Sequence, residues 1–269
     1  MTSDTQTFMF LPGGGGGGEN DLAAFAEGLD DPIRFETISY PGWQRYVEDD
    51  FSADAFIAEL TAEIVRRAPA GPIRLMGLSI GGHFGYAVAL RLQEMGRPVS
   101  ILCAIDSFAI ASSQPAAGWQ KRALADAFAL ARKRRFKDLA RLIRSKAWRL
   151  LLRLAGGRLA GALRRFSGKG GLTTMLSSDG VAEQELSMRL LLREVNPWIA
   201  DLDRNPAFLT APTILLRTQS SAGHDVAWRQ RCPNIAIREV PGKHLTLFEP
   251  ENISGLRDAF VSATTLLAR

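Results

Sequence analysis

The stretch that most constrains this chain of 269 residues is Ile73 to Gly82, where an apolar run enters Gly77-Leu78-Ser79-Ile80-Gly81-Gly82 and leaves as a helical pattern. Ile73 to Leu78 reads as a strand, Gly81 to Met95 as a helix with small residues early, and Val99 to Ile105 as a second apolar strand. That is a βαβ unit, which commits its surroundings to a parallel sheet covered by helices. Gly-x-Ser-x-Gly between a strand and a helix puts the serine on a sharp turn, with glycines where side chains would clash as the strand folds into the helix. The turn lifts the Ser79 hydroxyl clear of the sheet and sets the helix N-terminus, with its unpaired NH groups, beneath it. The plainer reading is a glycine-rich helix start capped by a serine, and the strand before and helix after argue against it.

The remaining segments fit the same architecture. Thr7 to Leu11 reads as a short strand running into Pro12 and six consecutive glycines, Gly13 to Gly18. Phe35 to Tyr40 is a strand closed by Pro41 and Gly42, and Asp54 to Arg67 is a helix with Phe56, Leu60 and Ile64 on one face and Ser52 as its cap. After Asp106 the pattern turns helical and irregular to about Pro197; strands return at Thr213 to Arg217 and Ile235 to Val240, and a helix from about Glu251 to Leu267 closes the chain. Strands alternating with helices predict a mostly parallel sheet covered on both faces, with a helical insertion at about 112–196 in a single domain.

A serine hydroxyl needs a base, and the chain offers three histidines. His83 lies in the first turn of the helix after Ser79, too close in sequence to swing over it, and reads as a packing or site-edge residue. His224 lies in a polar loop. His244 follows the last strand and precedes the last helix, where a doubly wound sheet presents its loops, and is the expected base. Two aspartates can orient it. Asp106 ends the strand after the Ser79 helix, Asp225 follows the strand Thr213 to Arg217 through a loop, and the residues alone leave the two open. An oxyanion hole needs two NH donors. Ile80 supplies one; Gly13 or Gly14 can supply the other, because glycine lets the backbone approach a substrate closely. The glycine tract is also readable as a linker, and without Gly-Lys-Ser/Thr it is not a phosphate loop.

Charge is concentrated in one segment. The formal net charge is +5, but residues 121–169 hold 16 Lys and Arg against Asp126 and Asp138, a local +14 that leaves −9 for the rest. Within it Leu139, Leu142, Ile143, Ala147, Leu150, Leu151 and Leu154 recur at helical spacing. The segment reads as a solvated lid helix, as a docking surface for an acidic protein partner, or as a contact for a membrane surface or nucleic acid, although no nucleic-acid motif accompanies it. No uninterrupted apolar run is long enough for a membrane span, no secretory signal opens the sequence, and a cytoplasmic location is the expectation. Cys103 and Cys232 lie outside any metal-ligand spacing.

On these residues the sequence resembles the thioesterase domains of nonribosomal peptide and polyketide synthases, a branch of the α/β-hydrolases. The pieces are Phe10-Leu11-Pro12-Gly13-Gly14, Pro72 to Gly82, Ala87 to Leu92 followed by Gly96-Arg97-Pro98-Val99 and Leu102 to Asp106, and Val240-Pro241-Gly242-Lys243-His244. The resemblance implies an α/β-hydrolase fold with a helical lid and a triad of Ser79, His244 and Asp106, leaving Asp225 as a loop residue near the site entrance. It also implies a thioesterase that releases an acyl, peptidyl or polyketide chain from the phosphopantetheine of a carrier protein, with no metal or redox cofactor of its own. A carboxylesterase or lipase-like hydrolase of small esters would use the same residues, and a non-catalytic carrier-docking protein would keep only the fold.

Overall fold

In the computed structural model, residues 5–14, 19–29, 33–108 and 180–267 are described. The strands are β1 (Gln6–Leu11), β2 (Ile33–Thr37), β3 (Ile73–Leu78), β4 (Val99–Ile105), β5 (Thr213–Arg217) and β6 (Ile235–Glu239). The helices are α1 (Glu19–Ala26), α2 (Ala53–Arg67), α3 (Ile80–Glu94), α4 (Gly180–Arg204), α5 (Asp225–Arg231) and α6 (Pro250–Leu267). The strands form one sheet in the order β2-β1-β3-β4-β5-β6, and every neighbouring pair is parallel. This is the α/β architecture that the alternation of elements predicts.

Strands buried on both faces need apolar side chains in both directions, which is why β3 and β4 read as continuous apolar runs. On one face Phe8, Phe10, Met76, Cys103, Ile105, Ile214 and Leu216 pack with Phe25 of α1 and Leu256 and Phe260 of α6. On the other, Leu11 and Leu102 approach α3 at Gly85, and Phe84 of α3 meets Phe56 and Tyr40 edge-on, with ring centroids 5.3 and 5.6 Å apart. Each fully buried phenylalanine contributes roughly 1.5–3 kcal/mol of hydrophobic stabilisation.

The chain runs from β1 outward to β2 and then returns past β1 to β3, so the sheet changes direction between β1 and β3. Loops leaving the C-terminal ends of strands on either side of such a switch diverge and open a crevice. Here those loops begin at Pro12 and at Ser79, a direct consequence of the register that pairs Leu11 with Gly77.

Several details differ from the sequence expectation. β2 is Ile33–Thr37 rather than Phe35 to Tyr40, although Ile38 N still donates to Phe10 O at 2.8 Å beyond the strand end. The stretch read as a polar loop after β5 is a 3-10 turn, Gln219–His224, running straight into α5. α1 was also unexpected. α4 passes through Pro197 instead of ending there, because Val195 and Ile199, four apart on one face, are both buried.

The chain divides into two compact units: 1–40, 50–110 and 192–269, which hold the whole sheet, and 41–49 with 111–191. Among the described residues of the second, Arg45 Nη1 donates to Glu48 at 2.8 Å and Arg189 Nε to Glu185 at 2.8 Å. Of the expected insertion, 112–179 lies outside the described residues, and with it the whole basic segment 121–169. Among the described residues no helix is long and apolar enough to cross a membrane.

Candidate active site

Ser79 sits between β3 and α3 with φ 57° and ψ −122°, outside the regions a non-glycine residue ordinarily occupies. Such a conformation costs on the order of 1–3 kcal/mol and persists only where the surroundings enforce it. Two glycines do so. A Cβ on Gly77 would collide with the backbone of Gly81 and Gly82, and one on Gly81 with the carbonyls of Leu11 and Pro12. Ser79 N donates to Ile105 O at 2.8 Å, tying the turn to the end of β4. Ser79 holds the N-cap position of α3, yet its hydroxyl makes no capping bond, whereas Ser52 before α2 accepts from Ala55 N at 3.1 Å. The absence of that bond removes the plain capping reading.

Asp106 ends β4 in a left-handed conformation, φ 46°, and is fully buried. Its NH donates to Leu216 O at 2.6 Å, so the neighbouring strand fixes its backbone. Oδ2 lies 2.7 Å from His244 Nδ1. A carboxylate has no proton to give, so His244 Nδ1 is the donor, and neutral His244 keeps Nε2 as an acceptor. Oδ1 accepts from Ser221 Oγ at 2.6 Å, Thr218 N at 2.9 Å and Thr218 Oγ1 at 3.1 Å. Burial pushes the Asp106 carboxyl up, and the hydrogen bonds from His244, Ser221 and Thr218 together outweigh it, holding the group below its usual range.

His244 is carried by the turn after β6. Gly242 takes φ 86°, and a Cβ there would meet the Asn252 side chain at 2.7 Å. Lys243 N donates to Thr246 Oγ1 at 2.9 Å and Asn252 Nδ2 to Thr246 O at 2.8 Å, which anchors the turn to α6. The His244 side chain is 30% exposed, and Phe108 packs edge-on against its ring at 5.1 Å. Among the described residues no hydrogen bond joins Ser79 to His244; in ligand-free sites that contact is often long and tightens only around a substrate.

Gly13 lies over Ser79, since a Cβ built on it would stand 3.7 Å from Ser79 Cβ and 3.7 Å from Leu78 O. Its loop is held by Tyr40, whose hydroxyl donates to Pro12 O at 2.8 Å. Ile80 opens α3, so its NH is among the first-turn donors that lack an intrahelical acceptor. Gly14 is in the same turn; 15–18 are outside the described residues.

Asp225 is placed elsewhere. It is the first residue of α5, not a loop residue, and it pairs with Arg217, whose Nε lies 2.9 Å from its Oδ1 and whose Nη1 donates to Glu239 at 2.8 Å. Asp106 alone of the two candidate acids reaches His244. His83 is buried, as a packing residue would be: Arg231 Nη1 donates to its Nδ1 at 3.3 Å and Trp228 packs against its ring at 5.5 Å. His224 closes the 3-10 turn before α5.

Sequence reasoning missed Thr218, Ser221 and Trp228. Trp228 Nε1 donates to Ser107 O at 2.8 Å and so fixes the chain just past Asp106. Arg231, buried and paired with Asp203, lies over the Tyr86 and Trp228 rings and holds α5 in place. The only signal in the sequence was a cluster of hydroxyls, Thr218, Ser220 and Ser221, just past a strand. Among the described residues no group of three or more His, Cys, Asp or Glu is placed to hold a metal ion.

No curated protein sequence matches the chain. Among solved structures it is similar to the NocB thioesterase domain from the nocardicin cluster, in covalent complex with a fluorophosphonate nocardicin G analog, at 21% identity and TM-score 0.57, covering 97% of this chain and 96% of that one. It is likewise similar to the Vlm2 thioesterase domain bound with a dodecadepsipeptide, at 18% identity and TM-score 0.59, covering 97% and 95%. A third is the four-domain nonribosomal peptide synthetase AB3403, at 19% identity and TM-score 0.58, covering 97% of this chain and 19% of that one. These share its fold. The sequence model of the thioesterase domain matches from residue 6 to residue 261, from β1 into α6, and on that match the chain belongs to the thioesterase domain family.

Proposed function

We propose that the protein is a serine thioesterase in which Ser79 attacks an acyl thioester carried on the phosphopantetheine arm of a carrier protein. The observation that carries this reading is Ser79 itself, strained on its turn with a hydroxyl that makes no capping bond, in a chain of the thioesterase domain family whose Asp106–His244 pair leaves Nε2 as an acceptor. His244 takes the Ser79 proton as Oγ bonds to the thioester carbonyl carbon. Asp106 holds the imidazole in the required tautomer and stabilises the imidazolium. The NH groups of Ile80 and Gly13 receive the developing oxyanion. Collapse breaks the C–S bond, the thiolate takes the proton from His244, and an acyl-serine ester remains. Water, or a nucleophile within the acyl chain, attacks that ester with His244 again as base, releasing an acid or a ring.

Similarity to thioesterase domains and to part of a nonribosomal peptide synthetase supports a carrier protein as partner. The basic segment 121–169 suits an acidic one. The experiment compares one acyl group on a holo carrier protein with the same acyl group as a simple oxoester, using Ser79→Ala as blank. Preference for the carrier-bound thioester is expected. Equal or faster turnover of the oxoester would turn the assignment to a small-ester hydrolase, and unchanged turnover in Ser79→Ala would end the serine mechanism. Charge reversal at Arg132, Lys133, Arg134, Arg135 and Lys137 is expected to lower carrier-dependent turnover and flatten its salt dependence, leaving the oxoester rate alone.

A further inference from the structure

The two oxygens of Asp106 are partnered from opposite sides. Oδ2 meets His244, and Oδ1 meets three donors from the end of β5. The two residues that supply them are buried, Thr218 at 0% and Ser221 at 4% exposure, so these bonds do not compete with water. The Ser221 hydroxyl has one proton and three oxygens in reach, Asp106 Oδ1 at 2.6 Å, Thr218 O at 3.0 Å and Thr218 Oγ1 at 3.4 Å; the shortest distance and the negative charge assign it to Asp106. Thr218 holds the N-cap position of the 3-10 turn Gln219–His224 but makes no side-chain cap bond, its hydroxyl being turned to Asp106 instead. With that proton committed, Ser220 Oγ, 2.8 Å from Thr218 Oγ1, is the donor in their contact. The result is a hydroxyl relay that converges on one carboxylate oxygen.

Rotation about the terminal torsion of an aspartate is soft, and a carboxylate bonded on one oxygen alone can tilt or exchange its oxygens. Three donors on Oδ1 remove that freedom. We propose that Ser221, assisted by Thr218, is a positioning residue of the triad, clamping Asp106 from the side away from His244 so that Oδ2 presents one fixed plane to the imidazole. This rests on reading Ser79, His244 and Asp106 as a triad. It gives the end of β5 a role in the reaction although it supplies neither nucleophile, base nor acid.

The test uses the full chain and an alkyl fluorophosphonate, which reads activation of the serine without knowledge of the acyl substrate. Wild type is expected to be labelled on Ser79 and Ser79→Ala not at all; an unlabelled wild type overturns the triad reading itself. With labelling in hand, Ser221→Ala is expected to lower the second-order inactivation rate about 10- to 100-fold, as loss of a hydrogen bond to a charged group does. Ser221→Thr, which restores a hydroxyl, should stay within about 3-fold of wild type, and Thr218→Val, which keeps the backbone NH, should lose about 3- to 10-fold. The deciding comparison is Ser221→Ala in an Asp106→Ala background, where no further loss is expected because the partner is gone. An equal loss in both backgrounds would assign Ser221 to packing and overturn the proposal, as would a wild-type rate for Ser221→Ala with Ser79 still labelled. Should Ser221→Ala fail to fold, Ser221→Cys, of similar size and with a weak donor, carries the same comparison.

Discussion

The ends of β4 and β5 lie side by side and each is followed by an aspartate, directly after β4 and beyond a 3-10 turn after β5, yet the two do different work. At the end of β4, Asp106 is buried, left-handed in its backbone and bonded to His244. Beyond β5, Asp225 is partly exposed and neutralised by Arg217, while Thr218 and Ser221 point their hydroxyls across to Asp106. The difference shows that which aspartate reaches His244 is decided by its partners and not by its position after a strand. A carboxylate without a cation beside it, buried among donors, is left with charge to offer an imidazole; one held by a guanidinium is already spent.

The largest effect expected from disturbing this arrangement is at Asp106. Asp106→Asn should lower the fluorophosphonate reaction by about 10³- to 10⁴-fold, because the wrong imidazole tautomer is then favoured. Asp225→Asn should leave it within about 2-fold. A large loss at Asp225 with little at Asp106 would invert the comparison.

Gly13→Ala should come next. Its Cβ would meet only ordinary contacts at 3.7 Å, so the melting temperature is expected to hold, but the methyl intrudes beside Ser79. Acylation should fall about 10-fold, the scale of a disturbed oxyanion donor, and a rate equal to wild type would remove Gly13 from that role.

Asp225→Asn should instead register in stability. The Asp225 and Arg217 side chains are 20% and 16% exposed, and loss of the pair should cost about 1 kcal/mol by denaturant titration, softened by the remaining Glu239 partner. No loss would mean that the pair does not hold the start of α5.

The smallest effect is in the pH dependence of folding. The Asp106 carboxyl is held below its ordinary value of 3.8, so its contribution is complete above that pH and drains away as pH falls through the lower folded value. The gap in melting temperature between wild type and Asp106→Asn should therefore be constant down to about pH 4 and narrow below it. A gap that widened with acid would mean burial, not hydrogen bonding, dominates at Asp106.

Much of this was legible beforehand, and the exceptions share a cause. The turn at Ser79 was readable because strand, glycines, serine and helix are contiguous, and its strain is set by residues two positions away. β3, β4 and β5 were readable from short apolar runs. α1 and α5 were not, since helices of eight and seven residues show too little periodicity, and α5 is held by Trp228 and Arg231 buried against residues far away in sequence. α4 runs past Pro197 because burial of its apolar face outweighs one lost hydrogen bond.

The two aspartates show where the boundary falls. The amino-acid sequence by itself determined the parallel sheet, the strained turn at Ser79 and the place of His244 after the last strand, because each is a local pattern of a few neighbouring residues. Only the tertiary structure decided that Asp106 faces His244, 138 residues away, that Thr218 and Ser221 serve it from 112 and 115 residues away, and that Asp225 belongs to Arg217. Hydrogen bonds between strand ends depend on which strands become neighbours, and that order is fixed by the packing of the whole sheet.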